Sequence, residues 1–181
     1  MAKKRRGAGK GGNFERKMCK EISLWWTGGE NSDVFWRTSN SGGRATTRKK
    51  ASQRTFMQHG DVGVVDPIGK PLLDFVTIEL KNGYPKTNIF QMLDAPNKRV
   101  RQQWAQWRHK AIRDMKANES KYWMIIHQRT CRAALVYLPK EMALQIGATP
   151  KTRAMFWFPL MGKTAVITLK DFWKLDPGKF K

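Results

Sequence analysis

Acidic side chains are scarce in this chain. Fourteen Asp and Glu stand against 35 Lys and Arg in 181 residues, a net charge of +21. A field that strong repels itself and points to a polyanionic partner, usually nucleic acid. Cysteine is scarcer still: Cys19 and Cys131 are the only two. That is too few for a disulfide framework, and a reducing compartment is the simpler reading. No apolar run approaches the ~20 residues of a membrane-spanning helix. Met1 to Gly12 is basic and Gly-rich without an apolar segment, so no secretory signal is read there. A long basic amphipathic helix with a greasy face is also missing, which argues against an anionic membrane as the polyanion. These absences predict a soluble, cytoplasmic protein with no membrane partner. It would be nucleoid-associated, or in the host cytoplasm if the chain is viral.

Several kinds of chemistry are missing too. His59, His109, His127 and the two cysteines are scattered without zinc-site spacing. There is no Gly-rich loop followed by Lys-Ser or Lys-Thr, so nucleotide hydrolysis has no support. Ser39 and Ser41 have no Asp and His partners that would make a triad. No internal repeat is present. What the chain does have is 40% hydrophobic and 11% aromatic residues, enough for a real core in one domain.

Residues 1–12 read as a disordered basic arm. Asn13 can cap a helix to about Trp26, with Phe14, Met18, Ile22 and Trp25/Trp26 on one face. Glu15 lies in its first turn, where an acid ordinarily serves the helix dipole. Val34–Arg37 is a short strand. Thr38 to His59 is polar, Gly/Ser-rich, then basic, and suits phosphate contacts. After a break at Asn82–Pro85 and a short helical turn at Ile89–Leu93, a longer helix runs from about Lys98 to Ala117. Its core stripe is Val100, Trp104, Trp107, Ala111 and Met115. Arg99, Arg101, Arg108, Lys110 and Arg113 sit off that stripe, toward a backbone, and one of Gln102, Gln103 and Gln106 could reach an adjoining site. Strands follow at Tyr122–His127 and Arg132–Leu138, where His127 reads as a core histidine. A short helix at Pro139–Ile146, extended segments at 156–158 and 164–169, and a last turn near Asp171 complete the chain.

The chemistry concentrates at Asp61 and Glu79-Leu80-Lys81. Residues 60–65 read as a strand, 66–71 as a turn, and 74–81 as a second strand. The midpoint between Asp61 and Glu79 falls on Lys70, inside the turn, so a hairpin sets the two acids opposite each other. Glu79 and Lys81 are two apart and share a face. Opposed carboxylates repel, and a hard divalent cation, Mg²⁺ with Mn²⁺ as substitute, removes the conflict. Such an ion polarises phosphoryl oxygens, and Lys81 could orient a water or offset transition-state charge. Spacing alone is equally met by a surface hairpin with three ordinary charges. His59, two residues before Asp61, is the one histidine placed to join.

An early helical Glu, a strand, Gly60-Asp61-Val62, Ile78-Glu79-Leu80-Lys81, a long helix and a strand follow one another in an order that resembles the PD-(D/E)XK nuclease superfamily. Within it, Gly12-Asn13-Phe14-Glu15-Arg16 and the Ser39–Gly43 segment look most like the archaeal-type Holliday junction resolvases. The likeness covers roughly residues 10–138. It departs at Gly60, where Pro is usual, and in the length of the segment before Asp61. The resemblance implies an α/β fold: a restriction-endonuclease-like αβββαβ core with a mixed central sheet over 13–138, and a C-terminal extension, 139–181, packed on the core. It nominates Asp61, Glu79 and Glu15 as metal ligands with the Leu80 carbonyl as a further one, and Lys81 as catalytic lysine.

The expected activity is that of a metal-dependent DNA endonuclease acting on branched DNA, Holliday junctions in particular, as a homodimer. DNA contacts are expected from Arg37, Ser39, Ser41, Arg44, Arg48, Lys49, Lys50, Arg54, Arg101 and Arg108. The alternatives are a related nuclease on linear DNA, and a non-enzymatic basic DNA-binding protein on the same scaffold.

Overall fold

The computed structural model describes residues 8–38, 59–85, 87, 98–148, 156–158 and 163–181. Helix α1 (Ala8–Trp26) starts ahead of the expected cap at Asn13. Its Phe14, Met18, Cys19 and Ile22 are buried, at the spacing that puts one helical face on a core. The helix stops where Gly28 and Gly29 take positive φ and the Gly29 N–H closes back on the Leu24 carbonyl at 2.7 Å, a stop that suits residues lacking a Cβ.

Strand β1 (Phe35–Arg37) pairs antiparallel with β2 (Val62–Val64). The expected hairpin between residues 60–65 and 74–81 does not form. Residues 67–75 instead make a 3-10 turn (Pro67–Gly69) and a short helix, α2 (Lys70–Phe75). Pro67 opens the turn and the Asp66 carboxylate accepts from the Ile68 N–H at 3.0 Å. Gly69 is pressed against β1, where a Cβ would come within 2.6 Å of Val34. Leu72, Leu73 and Phe75 are all buried, which one helical turn achieves and an extended strand with alternating faces does not. A short apolar run carries no period long enough to tell the two apart beforehand.

After α2 come β3 (Val76–Asn82), the long helix α3 (Lys98–Asn118), β4 (Tyr122–Gln128), β5 (Leu135–Pro139), α4 (Lys140–Gln145), β6 (Phe156–Phe158), β7 (Thr164–Thr168) and α5 (Leu169–Phe172). The strands from β3 onward form one sheet in the order β3-β4-β5-β7-β6. The β3–β4 pair is parallel and the other pairs are antiparallel. A parallel pair needs a crossover, and α3 supplies it. The result is a mixed α/β architecture compatible with a restriction-endonuclease-like core. Residues 139–181, expected as an extension on that core, contribute β6 and β7 to the sheet itself.

Strand alternation divides the interior into two cores. Val76, Ile78 and Leu80 of β3, with Met124 and Ile126 of β4, pack with α1. On the other face Trp123 and Ile125 pack under Trp104, Trp107 and Ala111 of α3, so both tryptophans of the predicted stripe are core residues. The parity of β3 therefore aims Thr77, Glu79 and Lys81 at the α3 face. No described helix is long and apolar enough to cross a membrane. Residues 1–7, the Ile89–Leu93 turn and residues 39–58 lie outside the described residues.

His127 is a core histidine, as expected. It is buried, with Nε2 3.0 Å from the Gly83 carbonyl and its ring 5.0 Å from that of Trp107. Burial first, and then the Arg129 and Lys81 charges, hold its pKa below the ordinary value despite the Gly83 bond. The folded state thus disfavours the proton that the unfolded chain accepts. Stability from this group is complete above about pH 6.5, the ordinary histidine value, and is lost as pH falls through the depressed one. Urea midpoints between pH 8 and 5 should show this loss, and His127→Gln should flatten that part of the curve.

Candidate active site

Asp61 enters through a backbone conformation that only its neighbour allows. Gly60 has φ +86°, and a Cβ there would lie 2.9 Å from both the Ile78 carbonyl oxygen and the Thr77 methyl. Thr38 anchors the same corner: its hydroxyl donates to the Gly60 carbonyl at 2.6 Å and its N–H to the Asp61 carbonyl at 3.1 Å. The chain then runs along the free edge of β3. The Asp61 N–H donates to the Ile78 carbonyl at 2.9 Å, and the Leu80 N–H donates to Asp61 Oδ2 at 2.7 Å. In an extended strand the N–H and C=O of one residue point to the same edge. The Leu80 carbonyl therefore also faces the Asp61 side.

Glu79 and Lys81 meet Asp61 at this edge. Lys81 Nζ lies 2.6 Å from Glu79 Oε2 and 3.6 Å from Asp61 Oδ2. The Glu79 side chain is 0% exposed and that of Lys81 13%. A carboxylate so buried loses its hydration, and leaving it unpaired costs several kcal/mol. Glu15 comes from α1, on the opposite face of the sheet from α3, and pairs with Arg37 Nε at 3.5 Å. Three groups register the crowding of negative charge. Burial, then Asp61, push the pKa of Glu15 up. The same two causes in the same order push Glu79 up, against the pull of its lysines. The buried Cys19 thiol is pushed up to about 12 by burial, then by Glu15 and Asp61.

The full-length pattern of the chain decides its family. Residues 6–180 match the family model described as "Phage putative PDDEXK endonuclease". The chain belongs to this family. No curated protein and no solved structure matches it. The match supports a nuclease of the PD-(D/E)XK superfamily, and such a family implies DNA as substrate. The name describes an acid, a second acid and a lysine two residues on, and Asp61, Glu79 and Lys81 stand in that order.

The oxygens of Asp61, Glu79 and Glu15 are hard donors of the kind that suit a hard divalent ion. The raised carboxylates are what a cation would relieve. Among the described residues no three His, Cys, Asp or Glu side chains are drawn together tightly enough to form a metal cluster. Basic side chains pair with these carboxylates: Arg37 with Glu15, and two lysines with Glu79. The second of these lysines was not foreseen as a site residue. Lys110 of α3 bonds Glu79 Oε1 and also Asp114 Oδ2 at 2.8 Å. Arg113 Nη2 reaches Asp114 Oδ1 at 3.1 Å. Burial would lower the Lys110 ammonium, but the Glu79 charge and the bonds to both acids raise it. Burial would raise Asp114, but Lys110 and Arg113 hold it below the ordinary carboxylate value. Lys110 was expected to face a DNA backbone, and the only sequence signal for its role is the helical spacing of Lys110 and Asp114.

Of the expected DNA contacts, Arg37 is held at Glu15, and its guanidinium lies where a side chain on Gly12 would be. Arg108 is half-buried on α3, and its Nε is buried without a hydrogen-bond partner. Ser39, Ser41, Arg44, Arg48, Lys49, Lys50, Arg54 and the Arg101 side chain lie outside the described residues. Among the described residues it is Lys110, not Gln102, Gln103 or Gln106, that reaches Glu79 from α3. His59 is placed by its backbone: Asn118 accepts from its N–H at 3.2 Å and donates to its carbonyl at 2.8 Å.

Gly60→Ala should destabilise the protein. Left-handed backbone at a residue with a Cβ costs about 1–3 kcal/mol, and the contact with the Ile78 carbonyl adds to it. Chemical denaturation should show a lower midpoint at unchanged slope, and Gly60→Pro, the residue usual in resolvases, should be no better tolerated.

Proposed function

We propose that this chain is a metal-dependent endodeoxyribonuclease in which Asp61 and Glu79 are the principal metal ligands. Glu15 and the Leu80 carbonyl complete the ligand set, and Lys81 is the catalytic lysine. The observation that carries this reading is that Lys81 Nζ touches the carboxylates of both Asp61 and Glu79 at the free edge of β3. Mg²⁺ is the proposed ion, with Mn²⁺ able to replace it. Bound there, it would supply Lewis acidity toward a phosphoryl oxygen.

The chain's own residues do the rest. Asp61 is fixed by two backbone hydrogen bonds to β3, so its carboxylate is positioned before substrate arrives, which removes a reorganisation cost from the reaction. Lys81 is an ammonium beside the scissile phosphate, able to hold the attacking water and to offset charge that develops on the phosphoryl oxygens. The basic residues of the 39–58 segment, with Arg101 and Arg108 of α3, hold flanking phosphates. Such contacts position the duplex without reading its sequence.

Branched DNA, four-way junctions above all, is the proposed substrate, and a homodimer the proposed working form, since two symmetric strands require two sites. The likeness of residues 10–138 to the junction resolvases supports both. Cleavage of labelled four-way junction and matched duplex with Mg²⁺ tests the reading. Asp61→Asn and Glu79→Gln should each lower cleavage by about 100-fold or more while largely retaining binding in gel shifts. Retained cleavage in both variants would remove the mechanism. Equal cutting of duplex and junction would leave the chemistry standing and replace the substrate with linear DNA.

A further inference from the structure

Glu79 is held by two lysines, and one of them is not part of the motif. Lys81 takes Oε2 from within β3. Lys110 takes Oε1 from α3, which packs on the face of β3 that Glu79 points to. The two oxygens of one fully buried carboxylate are therefore both occupied by ammonium groups. Each oxygen keeps a second lone pair, but an ammonium seated on each competes directly with a divalent ion for the same carboxylate charge. Lys81 is the more confined of the two, at 13% side-chain exposure, and its other contact is Asp61. Lys110 is 39% exposed and already touches a second carboxylate, Asp114, on its own helix. Asp114 is buried and fixed by Arg113, through Nε and Nη2 at 3.1 Å each. It is an anchored acceptor one helical turn from Lys110.

We propose that Lys110 is a resident cation that occupies Glu79 while the divalent ion is absent, and that Asp114 is the carboxylate to which it withdraws when the ion binds. This rests on the metal-centre reading of Asp61 and Glu79. Lys110 is a positioning residue in this scheme. It pairs with the buried carboxylate and keeps it aimed while no ion is bound, and competes with the incoming ion for it. Asp114 sets the strength of that competition by giving the ammonium an alternative partner. No bond is made or broken; one ion pair exchanges for another.

The exchange predicts opposite signs at two neighbouring residues. Mn²⁺ is titrated calorimetrically into the full chain without DNA, so the readout is independent of cleavage. Lys110→Met should bind Mn²⁺ about tenfold tighter than the parent chain, the size expected for removing one directly coupled charge. Its metal-free melting temperature should fall, and Mn²⁺ should raise that temperature by more than in the parent chain. Asp114→Asn should bind Mn²⁺ more weakly. In the Lys110→Met background Asp114→Asn should have little further effect, because no ammonium is left to receive. A purely long-range Asp114 would weaken binding equally in both backgrounds, and that outcome overturns the proposal, as does Lys110→Met affinity equal to or weaker than the parent. If Lys110→Met does not fold, unchanged Mn²⁺ affinity in Asp114→Asn overturns it. A parent chain whose Mn²⁺ binding is indifferent to Asp61→Asn would instead overturn the metal-centre reading beneath it.

Discussion

Two hydrogen bonds along one strand edge organise most of what this molecule does. The Asp61 N–H to the Ile78 carbonyl and the Leu80 N–H to Asp61 Oδ2 join the small β1–β2 unit to the five-stranded sheet. They also satisfy β3 where it would otherwise present an unpaired edge. The same contact that closes the fold aims the Asp61 carboxylate. Position 60 carries the cost, since the corner admits only a residue without a Cβ. The structure thus explains a departure from the usual resolvase pattern: a φ of +86° is closed to proline, whose ring fixes φ near −65°.

Around that edge the protein concentrates negative charge in a chain that is overwhelmingly positive. Glu15 from α1, Asp61 from the corner and Glu79 from β3 come from three elements, and Asp114 on α3 adds a fourth acid. Each has at least one cation in contact. At an effective dielectric of about 20, like charges about 4 Å apart repel by about 4 kcal/mol, so these acids could not be gathered without compensation. Lys81, Lys110 and Arg113 come from the same elements as Glu79 and Asp114, and Arg37 reaches Glu15 from β1. Charge balance and element packing are therefore one problem here, solved together.

The sequence was informative where a local period governs structure. The α1 stripe, the α3 stripe with Trp104 and Trp107, and the shared face of Glu79 and Lys81 all follow from 3.6- and 2-residue repeats. Asp61 and Glu79 do share Lys81, but not through the hairpin from which their pairing was expected. Residues 70–75 carry too few side chains to reveal a period, and the burial of Leu72, Leu73 and Phe75 in the core shared with α1 favoured a helical turn. Lys110 was read as facing a backbone because it lies off the apolar stripe of α3. Its true neighbour, Glu79, is 31 residues away, and nothing local in either segment reports the other.

One aromatic cluster fixes when this architecture can be completed. The Trp25 ring of α1 meets Phe180 edge-to-face at 5.0 Å and lies tilted against Phe172 at 5.2 Å, and its indole N–H donates to the Leu175 carbonyl at 3.0 Å across 150 residues of chain. Phe180 also reaches Phe75, next to β3, at 5.6 Å. The helix bearing Glu15 and the strand bearing Glu79 are thus pinned by residues translated long after either. A nascent chain emerging from the ribosome carries every acid of the site well before it has the ring that locks them in register. Such non-local closure is slow, and until it happens the half-built core is exposed to aggregation.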